Sequence, residues 1–324
     1  MKLFHSLLYP LLGGLFCLSC SDDEQDSGTK QPTTAGEVTF GVDLTGFSTR
    51  VTQDGSSWND GDKIGTYVLD MKTLEPVTEA ANVPYVCSEE GASVSFTSTT
   101  PLKVQNDGTP VKFVAYYPYN ADVRNFNYPV QLAAQERGST ACDLLYAATK
   151  EEYTYSPENE PHISLNFTHR LAKVILKFVN MEKEPLEVSD VRIEGMQTAA
   201  SFNIQTDVLT VDESSVATIN PYHNATTGFY EAIILPSALT DSYKVSFVLD
   251  DREKEWIFTN LDIALPQFHK GYSYTFALYI DDSGFVEMGR LENVEGGNSS
   301  APWEDGSSED GTADGDKTPV AGYG

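Results

Sequence analysis

Basic residues are scarce in this chain: 21 Lys and Arg stand against 48 Asp and Glu, a formal net charge of −27 over 324 residues. Nucleic acid is a poor partner for such a surface, because phosphate contacts need Lys and Arg. Attraction to an anionic membrane surface is disfavoured for the same reason. No apolar run reaches the ~20 residues of a spanning helix, and no segment above about ten residues keeps a helical 3.6-residue period. The motifs of common chemistries are missing too. There is no Gly-x-Ser-x-Gly elbow, no His-Glu-x-x-His zinc helix and no phosphate loop ending in Gly-Lys-Ser/Thr. His162 and His169 stand seven apart, an odd spacing that sends them to opposite faces of a strand, and His223 and His269 stand alone. Asp305, Asp310, Asp314 and Asp316 lie among glycines without the spacing of a calcium loop. The sequence therefore nominates no catalytic residue, no metal and no cofactor, and it reads as a non-enzyme. Carboxylates are too numerous for the sequence to single out a hydrolytic pair.

What is present begins with Met1-Lys2 and the twelve-residue apolar stretch Leu7–Leu18. That length fits the apolar core of a signal peptide. It ends in Leu18-Ser19-Cys20, which resembles the bacterial lipobox. The resemblance implies residues 1–19 as a lipoprotein signal, Cys20 as the lipidated residue and a covalent lipid anchor in the outer membrane. An ordinary secretory signal with an incidental cysteine is the plainer alternative. Residues 20–36 are acidic and nearly free of apolar side chains, and they read as a flexible tether. Ser21-Asp22-Asp23-Glu24-Gln25-Asp26 also resembles the surface-export signal of Bacteroidetes lipoproteins, and it reads equally well as a soluble linker.

Hydrophobic residues make up 40% and aromatics 11%, too apolar for a disordered chain. The apolar residues alternate. Val38, Phe40, Val42 and Leu44 share one face of a strand, with Glu37, Thr39, Gly41 and Asp43 on the other. Similar runs occupy Lys63–Leu69, Val111–Tyr117, Leu171–Val179, Tyr230–Leu235 and Tyr272–Ile280, separated by turn pairs such as Asp60-Gly61. Short strands at such intervals predict an all-β protein of two consecutive β-sandwich domains. The polar, Pro-containing stretch Glu151–Pro161 marks the boundary, giving domains of 37–160 and 161–295. Residues 296–324 are rich in Gly, Ser and Asp and read as a disordered tail. After signal removal and acylation of Cys20, only Cys87 and Cys142 remain. Export permits a disulfide between them, but two free thiols are the better reading.

Four sequence blocks carry a resemblance. Trp58-Asn-Asp-Gly61-Asp62-Lys-Ile64-Gly65, Phe113-Val-Ala-Tyr-Tyr117-Pro118-Tyr119, Asp143-Leu-Leu-Tyr-Ala147 and Phe167-Thr-His-Arg-Leu-Ala-Lys-Val174 resemble, in order, the conserved blocks of Bacteroidetes fimbrillin-like (major fimbrial subunit-like) proteins. The resemblance covers about residues 37–180. It implies sandwiches of transthyretin-like type, a place on the cell surface or in a fimbria, and a role in adhesion. It also implies assembly with other fimbrial subunits by strand addition, after a protease cuts beyond a basic residue and frees the first strand. Arg50, followed by Val51, stands where that residue is expected, and Val38, Phe40, Val42 and Leu44 would be the replaceable strand. Arg50 is otherwise a plain loop arginine of an intact lipoprotein. The segment Phe285–Val294 alternates poorly for a donor strand, which leaves stalk, tip and anchor roles open. The adhesion ligand, on host or bacterial surface, is not legible. A glycan-binding surface lipoprotein is the competing reading, and it calls for exposed coplanar aromatics.

Overall fold

A computed structural model of the chain describes residues 35–43, 58–78, 81–91, 93–258, 266–292 and 304–305. Among these residues the structure is all-β, with a single 3-10 turn at Ser139–Cys142. The first half contributes β1 (Ala35–Glu37), β2 (Thr39–Asp43), β3 (Lys63–Asp70), β4 (Val83–Cys87), β5 (Ser93–Thr97), β6 (Lys103–Gln105), β7 (Val111–Tyr117), β8 (Asn127–Gln131), β9 (Leu145–Ala148), β10 (His162–Ser164) and β11 (Thr168–His169). The second half contributes β12 (Ala172–Asn180), β13 (Ser189–Glu194), β14 (Ala199–Asn203), β15 (Val208–Val211), β16 (Tyr222–Asn224), β17 (Phe229–Ile234), β18 (Ser237–Ala238) and β19 (Lys244–Leu249). It continues with β20 (Arg252–Ile257), β21 (Gln267–Phe268), β22 (Tyr272–Ile280), β23 (Val286–Glu292) and β24 (Glu304–Asp305).

Eight strands of the first half form one sheet in the order β10-β2-β5-β4-β3-β7-β9-β11. β2 and β7 are four steps apart in that order, about 19 Å on a flat sheet at ~4.8 Å per strand. Yet the rings of Phe40 and Phe113 meet at 5.8 Å between centroids. The sheet therefore curls, bringing β2 over β7. The core inside the curl gathers Val38, Phe40 and Val42 with Ile64 and Val68 of β3, Tyr85 and Cys87 of β4, Phe96 of β5 and Ile163 of β10. Alternation explains the pattern: Tyr67 and Leu69 of β3, Val114 and Tyr116 of β7, and Tyr146 of β9 point the other way and enter a separate cluster.

In the second half, the strands run β16-β17-β12-β22-β23, and a three-stranded sheet β13-β19-β20 packs on them. β12 and β22, about a hundred residues apart, lie parallel at the centre. Their inward residues, among them Val174, Leu176, Phe276 and Leu278, meet Ile193, Val245, Phe247 and Trp256. Lys173 faces away from this core, as alternation requires. It is not solvated, however: its Nζ lies 2.7 Å from Glu231, and the two side chains are 14% and 11% exposed.

The two halves are joined by a third cluster. β8 from the first half pairs with β14 from the second, in the sheet β15-β14-β8. This sheet lays Val130, Phe202 and Ile204 over the outer residues of β3, β7 and β9. Gln135 adds a strand-like contact. Its amide donates to the carbonyls of Leu132 (2.8 Å) and Ile233 (2.7 Å), and its oxygen accepts the Ile233 N–H at 2.8 Å.

Several expectations shift. Pairing begins at Ala35, inside the expected tether, because β1 pairs with β6 and places Gly36 opposite Val104. β10 and β11 hydrogen-bond into the first sheet, so the chain changes sheets at Arg170–Leu171, beyond residue 160. The poorly alternating C-terminal segment forms β23, antiparallel to β22 with a register shift at Tyr279/Ile280. Within the expected tail, Glu304 and Asp305 pair with Tyr272 and Ser273.

Burial pushes the phenols of Tyr85, Tyr146 and Tyr274 up to about 12. The folded state favours the neutral phenol, so this stabilisation is complete below the ordinary tyrosine value of about 10 and is lost as pH rises from there through 12. Phenolate absorbance is expected to rise in two stages, the second coinciding with loss of near-ultraviolet circular dichroism. A single reversible step near pH 10 for all 17 tyrosines would contradict these burials.

Candidate functional site

The first strand lies in a slot between two partners. β2 pairs antiparallel with β5 on one side (Phe40 opposite Phe96, Val42 opposite Val94) and parallel with β10 on the other (Phe40 opposite Ile163). Val38 and Phe40 are fully buried and Val42 is 2% exposed. Between β1 and β2 the backbone changes partner at Val38, and local groups complete its pairing. Val38 N–H donates to the Leu102 carbonyl at 2.9 Å, and Thr39 N–H donates to the Pro161 carbonyl at 2.9 Å. The buried Tyr85 hydroxyl donates to the Val38 carbonyl at 2.9 Å and accepts the Leu102 N–H at 2.8 Å. At the other end, Leu165 N–H donates to the Gly41 carbonyl at 2.9 Å. Phe40 meets the Tyr85 ring edge-on, with centroids 4.8 Å apart. The exposed Lys103–Glu37 pair, at 3.2 Å, contributes little by comparison.

The four sequence blocks supply packing, some of it inside the curl beside this slot and some on the outer face. Trp58 is fully buried and meets Phe96, Tyr117 and Phe167 edge-on at 5.0, 5.3 and 5.5 Å. Its backbone forms two hydrogen bonds with Gly91, both 3.1 Å. Gly61 has φ +88°, a left-handed turn into β3. Asp62 accepts from Asn59 N–H at 2.8 Å and from the Tyr117 hydroxyl at 3.3 Å. Burial outweighs these bonds and pushes its carboxyl up. Gly65 admits the Tyr116 ring, which would lie 2.2 Å from any β-carbon there. His169 Nδ1 meets Asp143 Oδ1 at 2.8 Å, both side chains nearly out of water. Arg170 lies 4.7 Å over the Tyr146 ring and holds Asp207 of the β14–β15 turn at 3.0 Å. All four blocks are packing devices.

Of the residues singled out in the sequence, Val38, Phe40 and Val42 share one buried face. Cys20, Leu44, Arg50 and Val51 lie outside the described residues. Cys87 and Cys142 are free thiols, Cys87 in the curled core and Cys142 against the third cluster, and burial pushes both up. His162 is exposed and its Nδ1 lies 3.0 Å from the Thr39 hydroxyl, while His169 is buried. Tyr85 was not legible as a slot residue, because Pro84 beside it obscures a strand that alternates otherwise. Among the described residues, every Tyr and Trp is buried or half-buried, and no group of acidic, His or Cys side chains is arranged to hold a metal.

A family model of fimbrillin-like proteins matches residues 49–303. The chain belongs to the fimbrillin-like family. Solved structures share its fold. A candidate cell adhesion protein of Bacteroides uniformis is 23% identical with a TM-score of 0.63, over 81% of this chain and 97% of that one. Another from Bacteroides ovatus is 15% identical with a TM-score of 0.59, over 82% and 97%. A third, from Bacteroides fragilis, is 16% identical with a TM-score of 0.51, over 80% and 98%. No curated protein matches the sequence. For this fimbrillin-like chain the slot of the first strand is the feature to test. Tyr85→Phe leaves both the Val38 carbonyl and the Leu102 N–H without the hydroxyl, an expected loss of about 1–3 kcal/mol. Urea unfolding would show it as a lower midpoint with unchanged slope; an unchanged midpoint would contradict the bridging role.

Proposed function

We propose that this fimbrillin-like chain is a lipid-anchored surface protein, a structural or accessory subunit of fimbriae acting in adhesion. Its first strand, residues 35–43, is replaceable by a strand of a neighbouring subunit. Family membership supports a cell-surface place and assembly with other fimbrial subunits. The observation that carries the finer reading is the slot itself. The strand has a wholly apolar inner face, backbone pairing on both sides, and a basic residue, Arg50, between it and Trp58 in the sequence. A cut after Arg50 separates that strand from the rest of the chain while leaving β3 onward intact. A vacated slot offers two rows of unpaired backbone groups, a template for strand addition. Cys20 supplies the anchor, and the same cut severs the anchor from the body. In this reading the chain consists of two sandwiches joined by the β8–β14 sheet.

Two outcomes are expected. Cys20→Ala shifts the protein from the membrane fraction to the soluble one, or leaves the signal uncut; normal membrane retention from a different mature N-terminus would refute the anchor. Limited trypsin treatment of the folded chain cuts after Arg50 and yields higher-order species on sizing when a donor strand is supplied, and Arg50→Ala abolishes both. A cut protein that releases its first strand and stays monomeric with donor present would refute strand replacement.

A further inference from the structure

We infer, on the strand-replacement reading above, that the slot selects its occupant by two positions that must lack a β-carbon, read by Tyr155 with Pro161 and by His162. The resident strand places Gly36 and Gly41 there. A β-carbon on Gly36 would stand 2.5 Å from Tyr155 Cε2 and 3.0 Å from Pro161 Cδ. Gly36 and Pro161 are buried, and Tyr155 is half-buried against the curled core, so this reader is the firmer of the two. A β-carbon on Gly41 would stand 2.6 Å from His162 Nε2. His162 lies at the surface on β10, steadied by Thr39, so it is the softer of the two. The remaining requirements follow from the inner face and the backbone. Positions 38, 40 and 42 are apolar, and positions 38 and 39 exclude proline because their N–H groups donate to Leu102 and Pro161. The partner is thus an extended peptide reading glycine, any, apolar, any, apolar, glycine, apolar, parallel to β10 and antiparallel to β5.

One other segment of the chain comes close. Gly284-Phe-Val-Glu-Met-Gly289 repeats the first six positions, but Arg290 would fall where Val42 is buried. Its second glycine has a separate reason, since a β-carbon on Gly289 would lie 1.9 Å from Trp256 Cε2. The rule therefore rejects this segment, and one substitution should convert it.

The test uses the full chain with a specific protease site in place of residues 48–53, cut after folding, and labelled synthetic peptides. Incorporation is read as label co-eluting with the protein on sizing. The peptide of residues 35–43 is expected to enter. Its Gly36→Val version should enter about tenfold less or worse, as overpacking of a closed site dictates. The Gly41→Val version should lose less and recover when the protein carries His162→Ala. The peptide of residues 283–291 should be excluded and its Arg290→Val version admitted. Equal entry of the glycine-substituted peptides would overturn the selection rule while leaving strand replacement standing. Failure of His162→Ala to restore the Gly41→Val peptide would overturn the role given to His162. Failure of the unmodified 35–43 peptide to enter would overturn strand replacement itself, and this inference with it.

Discussion

The curled sheet closes around a strand whose pairing partners are distant in the sequence. β2 is paired with β5, some fifty residues downstream, and with β10, over a hundred downstream. Phe40 stands at the centre, against Tyr85 of β4 and Phe113 of β7. Burying Val38, Phe40 and Val42 is worth about 1.5–3 kcal/mol each, a sum comparable to the whole stability margin of ~5–15 kcal/mol. A fold built this way needs its slot filled, and here residues 35–43 of the same chain fill it.

The rest of the molecule packs on the outer face of the curl. β8 crosses to β14, Gln135 pairs with Ile233, and Arg170 holds Asp207. These contacts couple the outer face of β3, β7 and β9 to the second half. The buried His169–Asp143 pair ties β11 to the segment before β9, and Trp58 packs on Phe167 just before β11. In the second half β12 and β22 form a centre with their own core.

Much of this was legible from alternation alone. Val111–Tyr117 and Tyr272–Ile280 fold as the strands their patterns indicate, and Pro118 ends the first of them as a residue without a ladder donor should. Other elements were hidden for physical reasons. β14 and β8 are short and pair across the halves, and Ala200 and Pro129 dilute their apolar signal. β3 and β7 are buried on both faces, so Tyr67 and Tyr116 carried no sign of the third cluster. At the site, the apolar face of the first strand could be read directly. The strand's two glycines, Gly36 and Gly41, are explained by Tyr155 and His162, which lie over them from far along the sequence, although a glycine inside a strand is itself a sign of close approach. The break at Val38, bridged by the Tyr85 hydroxyl, leaves no trace in the local sequence.

The central claim is that residues 35–43 hold the curled sheet together and that the second half does not depend on them. Hydrogen exchange on the full chain, compared with a full-chain variant in which residues 35–43 are replaced by a glycine–serine segment of equal length, tests it directly. The account predicts that β5 and β10 lose amide protection in the variant while β12 and β22 keep theirs. Unchanged protection of β5 and β10, or equal loss across β12 and β22, would contradict it.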